Sequence, residues 1–303
     1  MNSEIFILAR AWLLNRIATA GWSITAGLRA TLGVWICERA LGEDWSSAFG
    51  NVVRLLSERI SDLTEDEKLL AAGSEAWLLF QLALTTKNMG LPKLSRMGHQ
   101  MATELNAIRR LPLEYQGDAA LLNQLGHKVS GHRETVGQAS DLFPTSLIGA
   151  QLPVLRVATA RICGATAFGG RRLSRPSVDC EATLVGVTLN RLRAYDLATA
   201  AMMMRALGYC RLAKSKWIID AASYLAAQQK PDGSFGYFAA ELAKASSTTS
   251  NPAIHLNDRT MDDNLYLPIT ISCVWTLAEL LNPGFYLYYP EPSCEISNRG
   301  STL

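Results

Sequence analysis

The sequence predicts an all-α protein, and three observations carry that reading. Apolar residues recur with helical periodicity along almost the whole chain. Sustained period-2 runs flanked by hairpin turns are absent, and helix start and stop signals punctuate the periodic segments. Counting those signals gives about eleven or twelve helices, paired at a spacing of roughly 40 to 50 residues. Mostly apolar helices alternate with amphipathic ones. A helix ring that packs on both sides must be apolar all round, while a ring that packs on one side keeps a polar face. Two concentric rings of antiparallel helices, an α/α toroid, meet both conditions. An irregular helical bundle or a helical-repeat solenoid would show the same periodicity.

The elements follow in order. The opening stretch MNSEIFILARAWLLNRIATAGW is apolar but carries Glu4, Arg10 and Arg16. A signal peptide needs an uninterrupted apolar centre and a small-residue cleavage site, so this start reads as part of the fold. In residues 46 to 62, Phe49, Val52, Val53, Leu56 and Ile60 fall on one helical face. Thr64 and Glu67 fit a capping box, opening the nearly all-apolar run LLAAGSEAWLLFQLALTT. Gly90 followed by Leu91 and Pro92 is a stop and restart, with Gly suited to a left-handed helix end and Pro to a first turn. Asp179 and Glu181 precede one inner-type helix, and Tyr195 and Asp196 open another, each acid suited to a cap or a first turn. Leu197, Ala200, Ala201, Met204 and Gly208 then share a helical face, and Ala213, Trp217, Ala221, Tyr224 and Leu225 share the next. From residue 242, LAKASSTTSNPAIHLNDRTMDDN is polar and Ser/Thr/Asn-rich, a length of loop that in a compact domain tends to be functional or disordered. The last helix, LPITISCVWTLAELL, ends at Asn282, Pro283 and Gly284, before an aromatic strip (Phe285, Tyr286, Tyr288, Tyr289) and a polar tail after Pro290. Residues 1–289 are therefore expected to form a single domain and residues 290–303 a tail.

Composition narrows the function classes. The chain has 303 residues, 49% apolar and 18% charged, enough to bury a substantial core. Its formal net charge is +2, and its densest basic spot is only Arg171, Arg172 and Arg175. That argues against a nucleic-acid partner, whose footprint is a clustered Lys/Arg surface. Six cysteines are scattered with no Cys-x-x-Cys pair, which reads as buried or free thiols in a reducing compartment. No segment offers the ~18 uncharged apolar residues of a membrane span. The expectation is a cytoplasmic protein without a transmembrane segment.

One stretch is more heavily specified than a turn needs: AASYLAAQQKPDGSFGYF, residues 221 to 238. Pro231 presets a turn torsion, Gly233 suits the turn's last position, and Asp232 sits between them. Gln228 or Gln229 can bond its amide to carbonyls left open at the helix end, and Phe235 can fill the gap between adjacent helices. QQKPDGSFG resembles the repeat signature of the terpenoid cyclase and protein prenyltransferase toroid superfamily, in which a helix ends in Gln, a turn carries Gly and an aromatic packs back. The likeness covers about residues 177 to 281. It implies the toroid, and as an architectural staple it carries no chemistry by itself.

The resemblance also points to Arg259-Thr260-Met261-Asp262-Asp263-Asn264. Class II terpene cyclases carry Asp-x-Asp-Asp before an inner helix, and the central Asp protonates an alkene or epoxide. Such a donor must be a carboxylic acid tuned by neighbouring carboxyl groups or hydrogen bonds. Asp262 matches the donor and Asp263 the last Asp, while Thr260 stands where the family has its first Asp. The same two acids also suit a helix N-cap and its dipole. Tyr195, Asp196, Trp217, Phe235, Tyr266 and Trp275 are the candidate substrate-binding residues. Aromatic faces among them would stabilise a cation, although buried Trp more commonly serves as core. Metal-dependent alternatives fit less well. An Asp-Asp-x-x-Asp motif would need an acid at Tyr266, and a zinc site built from Asp179, Cys180 and His255 has its first two members adjacent in sequence. His99, His127 and His132 lie in polar segments without a partner pattern and read as surface residues. The expectation is a metal-independent, proton-initiated cyclisation of a hydrophobic isoprenoid-type substrate in an apolar central cavity, with no cofactor. The alternatives are a toroid that binds a peptide or lipid as partner of biosynthetic enzymes, or a carbohydrate-active double ring with paired carboxylates.

Overall fold

The computed structural model describes residues 3–18, 22–43, 45–62, 80–81, 84, 89–112, 115–130, 150–166, 168, 173, 176–236 and 266–281. Ten α-helices lie among these residues: α1 (Glu4–Ala18), α2 (Ile24–Ala40), α3 (Ser47–Ser61), α4 (Pro92–Ala107), α5 (Gln116–Gln124), α6 (Leu152–Ala165), α7 (Val178–Arg193), α8 (Leu197–Leu207), α9 (Lys216–Ala227) and α10 (Leu267–Leu281). Among the described residues there is no β-strand, only an isolated antiparallel bridge between Gln229 and Phe235. The fold is all-α, as its periodicity predicts. The Thr64 capping box lies outside the described residues. Of the apolar run after it, only Phe80, Gln81 and Leu84 are described, all buried.

Three helices form the inside. In α2 every residue from Ala30 to Glu38 is buried, in α8 all but two of the eleven residues are, and in α10 Cys273 to Glu279 are. α10 packs between α2 and α8. Most of the remaining described helices keep a wet side, although the short α5 buries six of its nine residues. α3 buries Phe49, Val52, Val53, Leu56 and Ile60, the face its spacing predicts. Each such side chain contributes about 1.5–3 kcal/mol when fully buried, which outweighs any helix propensity. α3 starts at the Ser46 cap, whose hydroxyl accepts from Phe49 N, and α4 starts with Pro92 in its first turn, as expected.

Chain direction follows from side-chain pairings. Arg205 meets Trp275 and Tyr209 meets Glu279, so α8 and α10 run parallel. Leu13 lies against Gly33 and Arg10 lies near Glu38, so α1 and α2 are antiparallel. Leu13 of α1 and Ile271 of α10 meet at Gly33 of α2, so these three helices pack together. α8 and α10, adjacent and almost wholly buried, share one direction, and the half-wet α1 runs against α2.

Two expectations need correction. The helix after Asp179 and Glu181 is not buried all round: α7 buries one face (Leu184, Val187, Thr188, Leu192) and leaves Leu189 exposed, because polar Asp, Glu, Asn and Arg occupy its other side. In α9 the buried face is Ile218, Ala221, Ala222 and Leu225, and Tyr224 is exposed. The difference lies inside the helix: Ile218 and Ala222 offer an apolar face one step round from the Trp217–Tyr224 face, and it is theirs that packs. Before it, a π-turn at Gly208–Leu212 holds Arg211 at φ +64. The described cysteines, Cys37, Cys163, Cys180, Cys210 and Cys273, are free, as the spacing suggested. Among the described residues no helix is long and apolar enough to cross a membrane.

Candidate functional site

The QQKPDGSFG turn organises one end of α10. Gly233 N donates to Lys230 O (2.9 Å), closing the turn around Pro231 and Asp232. Asp232 Oδ1 accepts from the backbone and hydroxyl of Ser234 at 2.9 and 2.7 Å. The Gln229 amide donates to Gly233 O (3.0 Å) and to Ile5 O on α1 (2.9 Å). Gly233 itself sits at φ +95, where a Cβ would lie 2.1 Å from Leu8 O. Phe235 is wholly buried, and its N–H donates to Thr270 Oγ1 on α10 at 2.9 Å. The staple therefore reaches further than the next helix: it ties the first helix of the chain to the last one described.

The predicted residues gather beside it. Tyr195 ends α7 in a Schellman arrangement, its N–H donating to Leu192 O (3.0 Å) and that of Asp196 to Arg191 O (2.9 Å). The left-handed position of that motif, φ +60, holds Tyr195 where glycine is the usual occupant, at a cost of roughly 1–2 kcal/mol. Asp196 is the N-cap of α8, with Oδ1 accepting from Thr199 N at 3.3 Å and Oδ2 lying 3.5 Å from the Arg191 guanidinium. Tyr195 Oη donates to Gly236 O (3.5 Å), and the Tyr266 ring covers Gly236 so closely that a Cβ there would lie 2.3 Å from it. Lys230 Nζ stands 3.9 Å from the centre of the Tyr266 ring. Tyr195, Asp196, Phe235 and Tyr266 are thus brought to one end, where α8 and α10 both begin.

Trp275 is elsewhere, deep between α8 and α10. The Arg205 guanidinium lies 3.8 Å from its ring centre, and Phe168 stacks on it at 6.4 Å. Its Nε1 donates to Glu279 Oε1 (3.2 Å), which also accepts from Tyr209 Oη (2.8 Å). Glu279 is 1% exposed. A buried carboxylate requires such partners, since an isolated one would cost several kcal/mol. The sequence reading passed over Arg205, Tyr209 and Glu279. Its available signal was Glu279 itself, the lone charge in LPITISCVWTLAELL and one turn after Trp275. Trp217 lies apart from both groups in an outer groove between α7 and α9, and Trp12, Trp22 and Trp35 are core.

Asp262 and Asp263, with Thr260 and His255, lie outside the described residues. Among the described residues no three His, Cys, Asp or Glu side chains are gathered as a metal site. Four of the described thiols are disfavoured as thiolates. Burial raises Cys37, Cys180 and Cys273, and Cys210 is pushed up to about 12 by burial and by its neighbours Cys180 and Cys163. His127 departs from the surface role expected of it. Its ring is half-buried against Gly98, and burial first, then His99, lowers its pKa.

Comparison with protein-family models, with curated proteins and with solved structures finds no match for this chain.

Proposed function

We propose that the chain is an α/α toroid that takes a hydrophobic, isoprenoid-type substrate and cyclises it by protonation, with Asp262 as donor and Asp263 tuning it. The parallel pair of buried helices α8 and α10, with buried α2 packed on α10 and α1 reversed against α2, supports the double ring. So does the staple that joins α1 to α10. The single observation that carries the functional reading is convergence: Tyr195, Asp196, Phe235 and Tyr266, drawn from separate parts of the chain, meet where α8 and α10 start. Three peptide units separate Asp263 from Tyr266, a tether of at most about 11 Å. An acid at the start of a helix is tuned by the helix dipole and by neighbouring hydrogen bonds.

A second reading is favoured by a specific observation. The face of Trp275 carries Arg205, and that of Tyr266 carries Lys230. A ring face already opposed by a cation is not open to a carbocation. A toroid that binds an apolar peptide or lipid without reacting needs no such face. Incubating purified protein with farnesyl diphosphate, geranylgeranyl diphosphate and squalene, followed by gas chromatography–mass spectrometry, separates the two. A cyclic product lost in Asp262→Asn supports the cyclase and its acid together. An equal product from both proteins removes Asp262 as donor, and no product from a folded protein favours the binder.

A further inference from the structure

α9 stands as a ridge between two apolar grooves. One, of about 580 Å³, is lined by Leu189 and Leu192 of α7 and by Trp217, Ala221 and Tyr224 of α9. The other, of about 500 Å³, runs between α9, Ile5 of α1 and Leu280 and Leu281 of α10. Large apolar side chains crowd their rims: Leu189, Ile219, Tyr224 and Leu281 are 44–52% exposed. Scattered exposed apolar residues are ordinary, but a contiguous set flanking one helix marks an interaction surface.

Charge selects the occupant. The first groove carries one cation, Arg193, and one anion, Asp220, both exposed. An apolar small molecule has no use for that pair, and a partner of one net sign satisfies only half of it. A second copy of the same chain satisfies both. When two α9 ridges pack antiparallel about a two-fold axis, each ridge enters the other's groove, and each patch meets its own complement. Arg193 of each copy then faces Asp220 of the other.

We infer that the α7–α9 face is the two-fold interface of a homodimer, packed by Trp217, Tyr224 and Leu189 and set in register by two Arg193–Asp220 pairs. This inference is independent of the reaction proposed above, since the face lies on outer helices.

Sedimentation equilibrium on the full chain tests it with Arg193→Asp, Asp220→Arg and a one-to-one mixture of the two. Wild type is expected at twice the 33.1 kDa chain mass. Each variant alone places like charges opposite each other twice and is expected to self-associate at least about tenfold more weakly. In the mixture both cross-axis pairs are again of opposite sign, so a heterodimer re-forms. A pair within one chain would not be rescued by mixing. Tyr224→Glu, at an exposed position, should also give monomer with unchanged helical circular dichroism. A monomeric wild type overturns the inference, as does a dimer untouched by Tyr224→Glu or a mixture that stays monomeric.

Discussion

Gly233→Ala probes the joint on which the architecture rests. Two costs add there. At φ +95 a side chain is strained, by about 1–2 kcal/mol. The new Cβ would also stand 2.1 Å from Leu8 O and 2.5 Å from Leu8 C, both backbone atoms of α1. Neither can rotate away, so α1 must retreat from the turn, and overpacking of that kind costs about 1–3 kcal/mol. The sum, about 2–5 kcal/mol, is a large part of the 5–15 kcal/mol typical of a folded domain. Gly42→Ala separates the terms, because Gly42 has φ +72 but nothing within 4 Å of its would-be Cβ. It should lose only the conformational part, about 1–2 kcal/mol. Urea titrations followed by circular dichroism, compared at a common slope, give both numbers. Equal losses for the two variants, within about 0.5 kcal/mol, would refute the docking of this turn on α1.

Three further outcomes are expected. Thr270→Val leaves the buried Phe235 N–H without its acceptor, a loss of about 1–3 kcal/mol in the same titration, whereas Thr270→Ser should restore most of it. Tyr209→Phe removes one of the two aromatic donors to Glu279 Oε1 and should cost about 1.5–3 kcal/mol as a bond to a charged group; a change below about 0.5 kcal/mol would show the carboxylate does not rely on it. His127 gives a pH signature. Its folded pKa lies below the ordinary 6.5, so as pH falls through 6.5 the unfolded chain takes the proton first. Stability from this group is therefore full above pH 6.5 and declines below it, and His127→Gln should flatten that limb of a midpoint-against-pH curve.

What the sequence made legible is local. The five apolar positions of α3, the Pro92 restart and the Pro231-Asp232-Gly233 turn depend on neighbours within one or two turns, and each took its expected form. Asp196 became an N-cap for the same reason. The partners across the fold were not legible. Nothing in QQKPDGSFG says that Gln229 bonds Ile5, 224 residues away, or that Gly233 is required because the Leu8 carbonyl presses on it. Phase errors have a similar origin. The apolar residues of α9 allow two neighbouring faces, one through Trp217 and Tyr224 and one through Ile218 and Ala222, and only the packing of the fold chooses the second.

The aromatic residues show most clearly why composition underdetermines chemistry. Trp275 and Tyr266 are the right residue types, on the right helix, for stabilising a substrate cation. Whether a ring does so depends on what already lies over it. An attractive quadrupole is spent once a guanidinium sits 3.8 Å from one ring centre and an ammonium 3.9 Å from the other. In Trp275 the same contact serves the fold, since Arg205 lies over the indole whose N–H donates to the buried Glu279. A ring so held belongs to the joint between α8 and α10. The face of Trp275 under Arg205 and the face of Tyr266 under Lys230 are therefore not the ones a substrate cation would meet. Asp262 decides between catalysis and binding, because the proposed reaction begins at its proton, before any carbocation exists to be stabilised.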